Sequence, residues 1–352
     1  MKKSYMIKGA GMTAMAGLVL LSACGEEPAN ENVEATTVNG NNESGEANEV
    51  NEENSGNDEL VEVGQVTNWY AQAEQGGQFA AHMMGFYEDE GLEMTIEAGG
   101  GGVSNTQLVA SGQMDFGMGS TDEILLARED GIPLVAIAGI FQQSPQALMF
   151  HEGQDIEDFT DLNGRDVYVS PGAGFWEFMK GEFDLDVNEY SYTGDSTMFM
   201  ENEEAVSQSY MTSEPYGLEQ QGVEVDWLLN GESGFEVYGN LLFTTEEMIE
   251  EQPEVVQAYV EASVAGWEYY KDNHEEVQSF IQDYNPEMST EQLAYSAEAL
   301  QPLVYEYDAE EHGVGYMTEE RWQSVMEILL DIDLLTEEQD VTEAFNTEFL
   351  PQ

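Results

Sequence analysis

Apolar and polar positions change their spacing in a repeating order along this chain. Residues 61–69 alternate as a strand does and lead through a Gln75-Gly76-Gly77 turn into a segment where Phe79, Met83, Phe86 and Tyr87 recur at helical intervals, ending at Gly91. A second extended run, 92–96, passes four glycines (99–102) into a short helix ending near Gly112, followed by Met114-Asp115-Phe116-Gly117. A helix over 122–130 stops at Gly131, and Pro133 opens the strongly apolar strand 134–140. Strands alternating with helices of about ten residues predict parallel β-α-β units.

The pattern restarts after Phe150, with strands at 166–169, near 189–192 and at 206–211, and a helix near 175–183. A strand returns at 238–243, and the remainder reads as helix. Its clearest segment follows Pro253, where Val256, Tyr259, Val260, Ser263, Val264, Trp267 and Tyr270 share one face; residues 321–330 repeat the pattern with Trp322, Val325, Met326 and Leu329. About 290 residues exceed the usual size of a single core. The expected fold class is therefore α/β with two lobes: 61–150 with 240–352 form lobe one, and 151–239 are inserted as lobe two. Two extended crossings, near 149–153 and 239–243, would leave a ligand cleft between the lobes and a hinge opposite it.

The first 23 residues read differently. Lys2, Lys3 and Lys8 precede an apolar stretch over 12–21 that is too short to span a bilayer, and Leu21-Ser22-Ala23 then meets Cys24, the only cysteine. This resembles a bacterial lipoprotein signal, in which Cys24 is lipidated and anchors the mature protein to the outer face of the cell membrane. Residues 25–59 carry eleven acids, no Lys or Arg and no aromatic side chain. The anchor and this linker, 24–60, are expected to form an extended, disordered leash with ends roughly 30 Å apart.

Charge changes the picture further. The whole chain has 8 Lys plus Arg against 72 Asp plus Glu, and only Arg128, Arg165, Lys180, Lys271 and Arg321 follow the signal. The acids are spread along the folded part, so the surface is expected to be adapted to high salt, where screening relieves self-repulsion. Nucleic-acid binding, which needs cations to replace counterions, is excluded.

Several short motifs then recur in an order characteristic of one family: Asn68-Trp69-Tyr70-Ala71 with Gly76-Gly77, Gly85-Phe86-Tyr87 with Glu90-Gly91-Leu92, Gly112 with Asp115-Phe116-Gly117, and Ala127-Arg128 with Gly131-Ile132-Pro133. Phe141-Gln142 before Pro145, the Asp161 to Arg165 stretch, and the Tyr210 to Tyr216 stretch continue the match. The chain resembles NMT1/THI5-like, periplasmic-binding-protein-like substrate-binding lipoproteins. The resemblance implies a type II binding-protein fold and the solute-binding role in an ABC importer, with a permease and a separate ATPase as partners, no cofactor and a monomeric state. Solutes associated with the group are thiamine-pyrimidine precursors and riboflavin and, more distantly, nitrate, taurine and other sulfonates. Gln75 stands where related sequences often show histidine.

Candidate ligand-binding residues follow from strand ends and helix starts. Trp69 and Tyr70 lie just past a strand end and could stack on a flat heterocycle or pack at a lobe edge; Gln75 and Gln78 lie nearby. Ser120 and Thr121 could serve the ligand or cap a helix, and Gln142, beside Phe141, offers both a donor and an acceptor. In lobe two, Ser170, Gly172, Gly174, Phe175 and Trp176 open a helix with free amides and two aromatic rings. Glu214 could pair with an amidine-like ring edge or simply start a helix before Pro215; Tyr210 and Tyr238 complete the set. Arg128 and Arg165 read as structural, and Lys271 and Arg321 as exposed on long helices, so a neutral or cationic heteroaromatic ligand is favoured over an anion. Two other classes stand beside import. A pyrimidine synthase of this fold carries a cysteine-rich motif absent here, and a ligand sensor would present solute to a signalling partner. His82, His151, His274 and His312 show no metal-ligand spacing, and no catalytic constellation can be assigned.

Overall fold

The computed structural model describes residues 60–100 and 103–351. The signal-like segment, Cys24, the acidic leash and two of the four glycines lie outside the described residues. Two five-stranded sheets organise the rest.

In the first lobe, β1 (Val61–Val66) leads through a 3-10 turn (Ala73–Gln75) into α1 (Gly76–Met84) and α2 (Phe86–Asp89), and then β2 (Leu92–Glu97). After α3 (Asn105–Ala110) come β3 (Phe116–Gly119), α4 (Thr121–Glu129) and β4 (Leu134–Ala138). β1 pairs in parallel with β2 and β3, as a chain returning through helices must. β2 alternates buried and exposed positions, whereas every position of β4 is buried.

The second lobe begins with β5 (Gln146–His151). It continues through β6 (Asp166–Val169), α5 (Gly174–Glu182), β7 (Asn188–Ser191), α6 (Thr197–Glu201), β8 (Val206–Tyr210), α7 (Glu214–Glu219) and β9 (Val225–Leu229). Its strand order is β7-β6-β8-β5-β9. The chain then returns as β10 (Leu241–Thr245), which inserts antiparallel between β3 and β4, giving β2-β1-β3-β10-β4. Helices α8 (Glu246–Glu251), α9 (Pro253–Tyr284), α10 (Thr290–Tyr305), α11 (Asp308–His312) and α12 (Glu319–Asp331) complete the first lobe's layers.

The first crossing differs from expectation. Residues 149–151 do not pass between lobes, because β5 is paired on both edges, with β8 and β9, inside the second sheet. The passage lies earlier, across 139–145, and the return crosses at 234–240. The crossings are joined to each other: Phe141 N–H donates to Gly239 O at 2.9 Å, and Gly239 N–H donates back at 3.1 Å.

Gly76 and Gly77 differ too. They form the first turn of α1 rather than a loop, with Gly76 in ordinary right-handed helical geometry. Their lack of side chains lets α9 approach: a Cβ on Gly77 would stand 2.3 Å from the Trp267 ring, and one on Gly76 would meet Tyr270 at 2.2 Å. The expected apolar face of α9 is the core face, with Val256, Tyr259, Val260, Val264, Trp267 and Tyr270 all buried. Asn273 interrupts this helix with φ −129° and ψ 20°, its side-chain amide donating to Tyr269 O at 2.9 Å. The second core continues across both lobes, joining Ile124 and Trp322 of lobe one with Leu148, Phe175 and Trp176 of lobe two.

Candidate functional site

A cavity of about 630 Å³ opens between the lobes, a size suited to a small organic ligand. Strand direction explains its lining. The segment after β1 carries Asn68, Trp69 and Tyr70 to it, and the C-terminal ends of β6, β7 and β8 bring Ser170, Tyr192 and Tyr210 from the other side. Gln146, opposite Tyr210 in register at the start of β5, closes the set across the sheet.

Six expected residues meet here: Trp69, Tyr70, Gln75, Ser170, Tyr210 and Glu214. Trp69 and Tyr70 are about half exposed, with ring centroids 5.4 Å apart in an edge-on arrangement. Gln75 donates to Asn68 Oδ1 at 3.0 Å, and Asn68 donates to Asn240 Oδ1 at 2.7 Å, so the polar edge of lobe one is tied to the second crossing. Glu214 opens α7; its Oε2 accepts Tyr210 N–H at 2.8 Å and its Oε1 accepts the Tyr192 hydroxyl at 3.2 Å. Burial first, then the surrounding carboxylates, holds the Tyr192 and Tyr210 hydroxyls well above the ordinary tyrosine range. Both remain donors at any physiological pH.

The other expected residues do not reach the cavity, each for a visible reason. Gln78 is fully buried in lobe one. Ser120 serves the start of α4, its N–H bonded to Glu123 and its hydroxyl to Asp122 Oδ1, and Thr121 Oγ1 accepts Tyr238 N–H at 3.0 Å. Phe141 packs edge-on against Trp267, while Gln142 is consumed by carbonyls, donating to Gly139 O and Tyr316 O at 2.9 Å each. Gly172 and Gly174 shape the entry to α5, where a Cβ on Gly174 would stand 3.5 Å from Asp122 Oδ2 of the first lobe. Phe175 and Trp176 are core residues; the Trp176 indole N–H is satisfied by Glu189 at 2.8 Å. Tyr238 is buried beneath Arg321, its hydroxyl accepting Thr318 N–H at 3.0 Å.

Sequence reasoning passed over Tyr192, Gln208, Ser209, Ser213 and Gln146. Gln208 and Tyr210 sit two apart at the end of β8 and so share a face, a signal available from alternation alone. Glu74, behind the lining, carried no such mark.

None of the five basic residues lines the cleft. Arg128 donates to Leu134 O and pairs with Glu246, both at 2.9 Å; Arg165 binds Gln154 and Asp161 O; Lys180 pairs with Glu177 and Glu189. Lys271 lies over Tyr305. Arg321 is not a simple solvent-facing residue: it is half-buried, donates to Gln142 O and stands 4.4 Å over the Tyr238 ring. Among the described residues, no group of three or more His, Cys, Asp or Glu side chains is arranged to hold a metal, and no helix is long and apolar enough to cross a membrane.

Two α/β lobes joined by paired crossings around a cleft constitute the periplasmic-binding-protein fold. The aliphatic sulphonate binding protein SsuA of Escherichia coli superposes with a TM-score of 0.65 over 84% of this chain and 94% of its own, at 12% identity. The chain belongs to the NMT1/THI5-like family, whose description matches residues 72–277. Similar proteins include the riboflavin-binding protein RibY of Chloroflexus aurantiacus, 26% identical over 287 residues, covering 78% of this chain and 81% of the relative. The formylaminopyrimidine-binding protein of Halalkalibacterium halodurans is 23% identical over 313 residues, covering 82% and 91%. A 4-amino-5-hydroxymethyl-2-methylpyrimidine phosphate synthase of Schizosaccharomyces pombe is 29% identical over a shorter stretch of 102 residues, 29% of this chain and 30% of the enzyme.

Proposed function

We propose that this protein is the extracytoplasmic solute-binding component of an ABC importer and that it captures a flat, neutral or cationic heteroaromatic solute of the aminopyrimidine or flavin type. The observation that carries this reading is the lining of the interlobe cleft: four aromatic rings, amide and hydroxyl donors, the Glu214 carboxylate, and no Lys or Arg. Aromatic rings offer stacking surface, amides read a ring edge, and a carboxylate favours an amidine-like edge over an anion. The names of the riboflavin- and formylaminopyrimidine-binding relatives point to the same ligand chemistry. A synthase reading lacks the cysteine-rich motif, since Cys24 is the sole cysteine.

Solute docks on one lobe, and rotation about the paired crossings brings the other lobe onto it; the closed form is what the permease recognises, with energy supplied by a separate ATPase. Lipidation at Cys24 would hold the protein at the membrane, and residues 25–59 would let it range. The test is thermal shift on the chain lacking its first 59 residues, in about 2 M NaCl, with thiamine, its aminopyrimidine precursors, riboflavin, taurine and nitrate. Stabilisation by a pyrimidine or flavin supports the reading. Stabilisation by taurine or nitrate alone overturns it.

A further inference from the structure

Glu74, in the 3-10 turn of lobe one, bonds to both lobe two and the second crossing. Its Oε1 accepts the Thr212 hydroxyl of lobe two at 2.6 Å, and its backbone carbonyl accepts Asn240 Nδ2 at 2.5 Å. The residue is 1% exposed, and its Oε2 is buried without a partner. The titratable groups facing it are Glu214 of α7, Tyr210 of β8 and Tyr270 of α9, none of them basic. Burial, reinforced by Glu214, lifts its carboxyl to about 7. Glu74 thus lies dry behind a cleft that Glu214 lines and that no Lys or Arg lines.

We infer that Glu74 is a proton-exchanging specificity residue: when a cationic ring edge settles against Glu214, the Glu74 O–H bond breaks, its proton leaves to bulk water, and the new carboxylate balances the ligand's charge. This deepens the proposed function and rests on its reading of the cleft. Burial, with the Glu214 charge adding to it, disfavours the ionised form, so in the ligand-free protein Glu74 is mostly protonated at pH 6 and about half protonated at pH 7. A bound cation offsets that penalty by stabilising the carboxylate; a neutral ring does not. Cation capture therefore strengthens with rising pH, while capture of a neutral ring of equal shape does not.

Calorimetric titration with thiamine, which has a fixed positive charge, and with riboflavin, in two buffers of unequal ionisation enthalpy at pH 6, 7 and 8, tests this in about 2 M NaCl. For thiamine, proton release is expected near pH 6 to 7, with affinity rising about tenfold from pH 6 to pH 8 as the group is emptied. For riboflavin, neither is expected. Glu74→Gln should remove the pH slope. Thr212→Val keeps the carboxyl and removes the bond that favours its ionised form, so it should move the slope to higher pH. A thiamine affinity that is flat with pH, proton release surviving in Glu74→Gln, or binding of riboflavin or a neutral pyrimidine but not thiamine would each overturn the inference while leaving the proposed function standing. If no heteroaromatic binds, the proposed function falls. Carboxyl carbon NMR of the ligand-free protein, with Glu74→Gln to identify the resonance, then still judges the group: a midpoint between pH 6 and 8 supports the inference, and one below 5 overturns it.

Discussion

Replacing Glu74 by Gln should change how stability depends on pH in a calculable way. The carboxyl rises from an ordinary value of 4.5 to about 7 on folding, chiefly through burial. A raised folded value means that the native state holds a proton that the unfolded chain releases between these limits. Glu74 therefore contributes fully below about pH 4.5, and its contribution is lost as pH rises through 7. At about 1.4 kcal/mol per unit, the ionised group costs roughly 3 kcal/mol above pH 8. Glutamine keeps the shape and an acceptor for Thr212 but cannot ionise. Urea unfolding of both proteins followed by tryptophan fluorescence, at constant high salt and at pH 4.5, 5, 6, 7 and 8, isolates this term, because the remaining acids largely cancel in the difference. The stability of Glu74→Gln minus that of wild type should grow by roughly 3 kcal/mol from pH 4.5 to 8. A difference constant across that range would refute the reasoning, since it would mean that the carboxyl ionises as freely in the folded protein as in water.

Further outcomes are expected elsewhere in the molecule. The melting temperature should rise between dilute buffer and about 2 M NaCl, because screening shortens the reach of repulsion among the acids; a differential scanning calorimetry series showing no rise would contradict salt adaptation. Glu214→Ala, which strips the partners from Tyr192 and from the Tyr210 amide, should weaken solute binding by about 10- to 100-fold in calorimetry, as expected for loss of a charged hydrogen-bonding group. Gly77→Ala should destabilise by about 1–3 kcal/mol in urea unfolding, because its Cβ would meet the Trp267 ring. Saturating solute should reduce the radius of gyration in small-angle scattering; an unchanged curve would argue against closure about the crossings.

Periodicity made much of the fold legible. Alternation located β1 and β2, and the 3.6-residue spacing located α9 and its buried face. The first crossing was misplaced for a physical reason: Ala147, Leu148, Met149 and Phe150 form one buried run, and a run buried on both faces does not reveal which sheet supplies its neighbours. The site was less legible. Strand-end reasoning reached Trp69 and Tyr70, and helix-start reasoning reached Ser170, but aromaticity beside glycines suggested Phe175 and Trp176, whose rings turn inward to the core. Gln142 has the right atoms for a ligand and spends its amide donor on two carbonyls instead. Glu74 could not be singled out among 72 acids, because its peculiarity is burial between lobes rather than its type.

The strand orders also bear on how the molecule is assembled. All five strands of the second sheet arise from one uninterrupted stretch, β5 to β9, whereas the first sheet has a vacancy between β3 and β4 until β10 fills it. A chain emerging from its N-terminus can complete the inserted lobe while the enclosing one still presents two unpaired strand edges, the kind of surface that recruits foreign strands. The enclosing lobe is finished only after Thr245 and the helices beyond it have emerged, so until then the edges of β3 and β4 that β10 will occupy lack their partner.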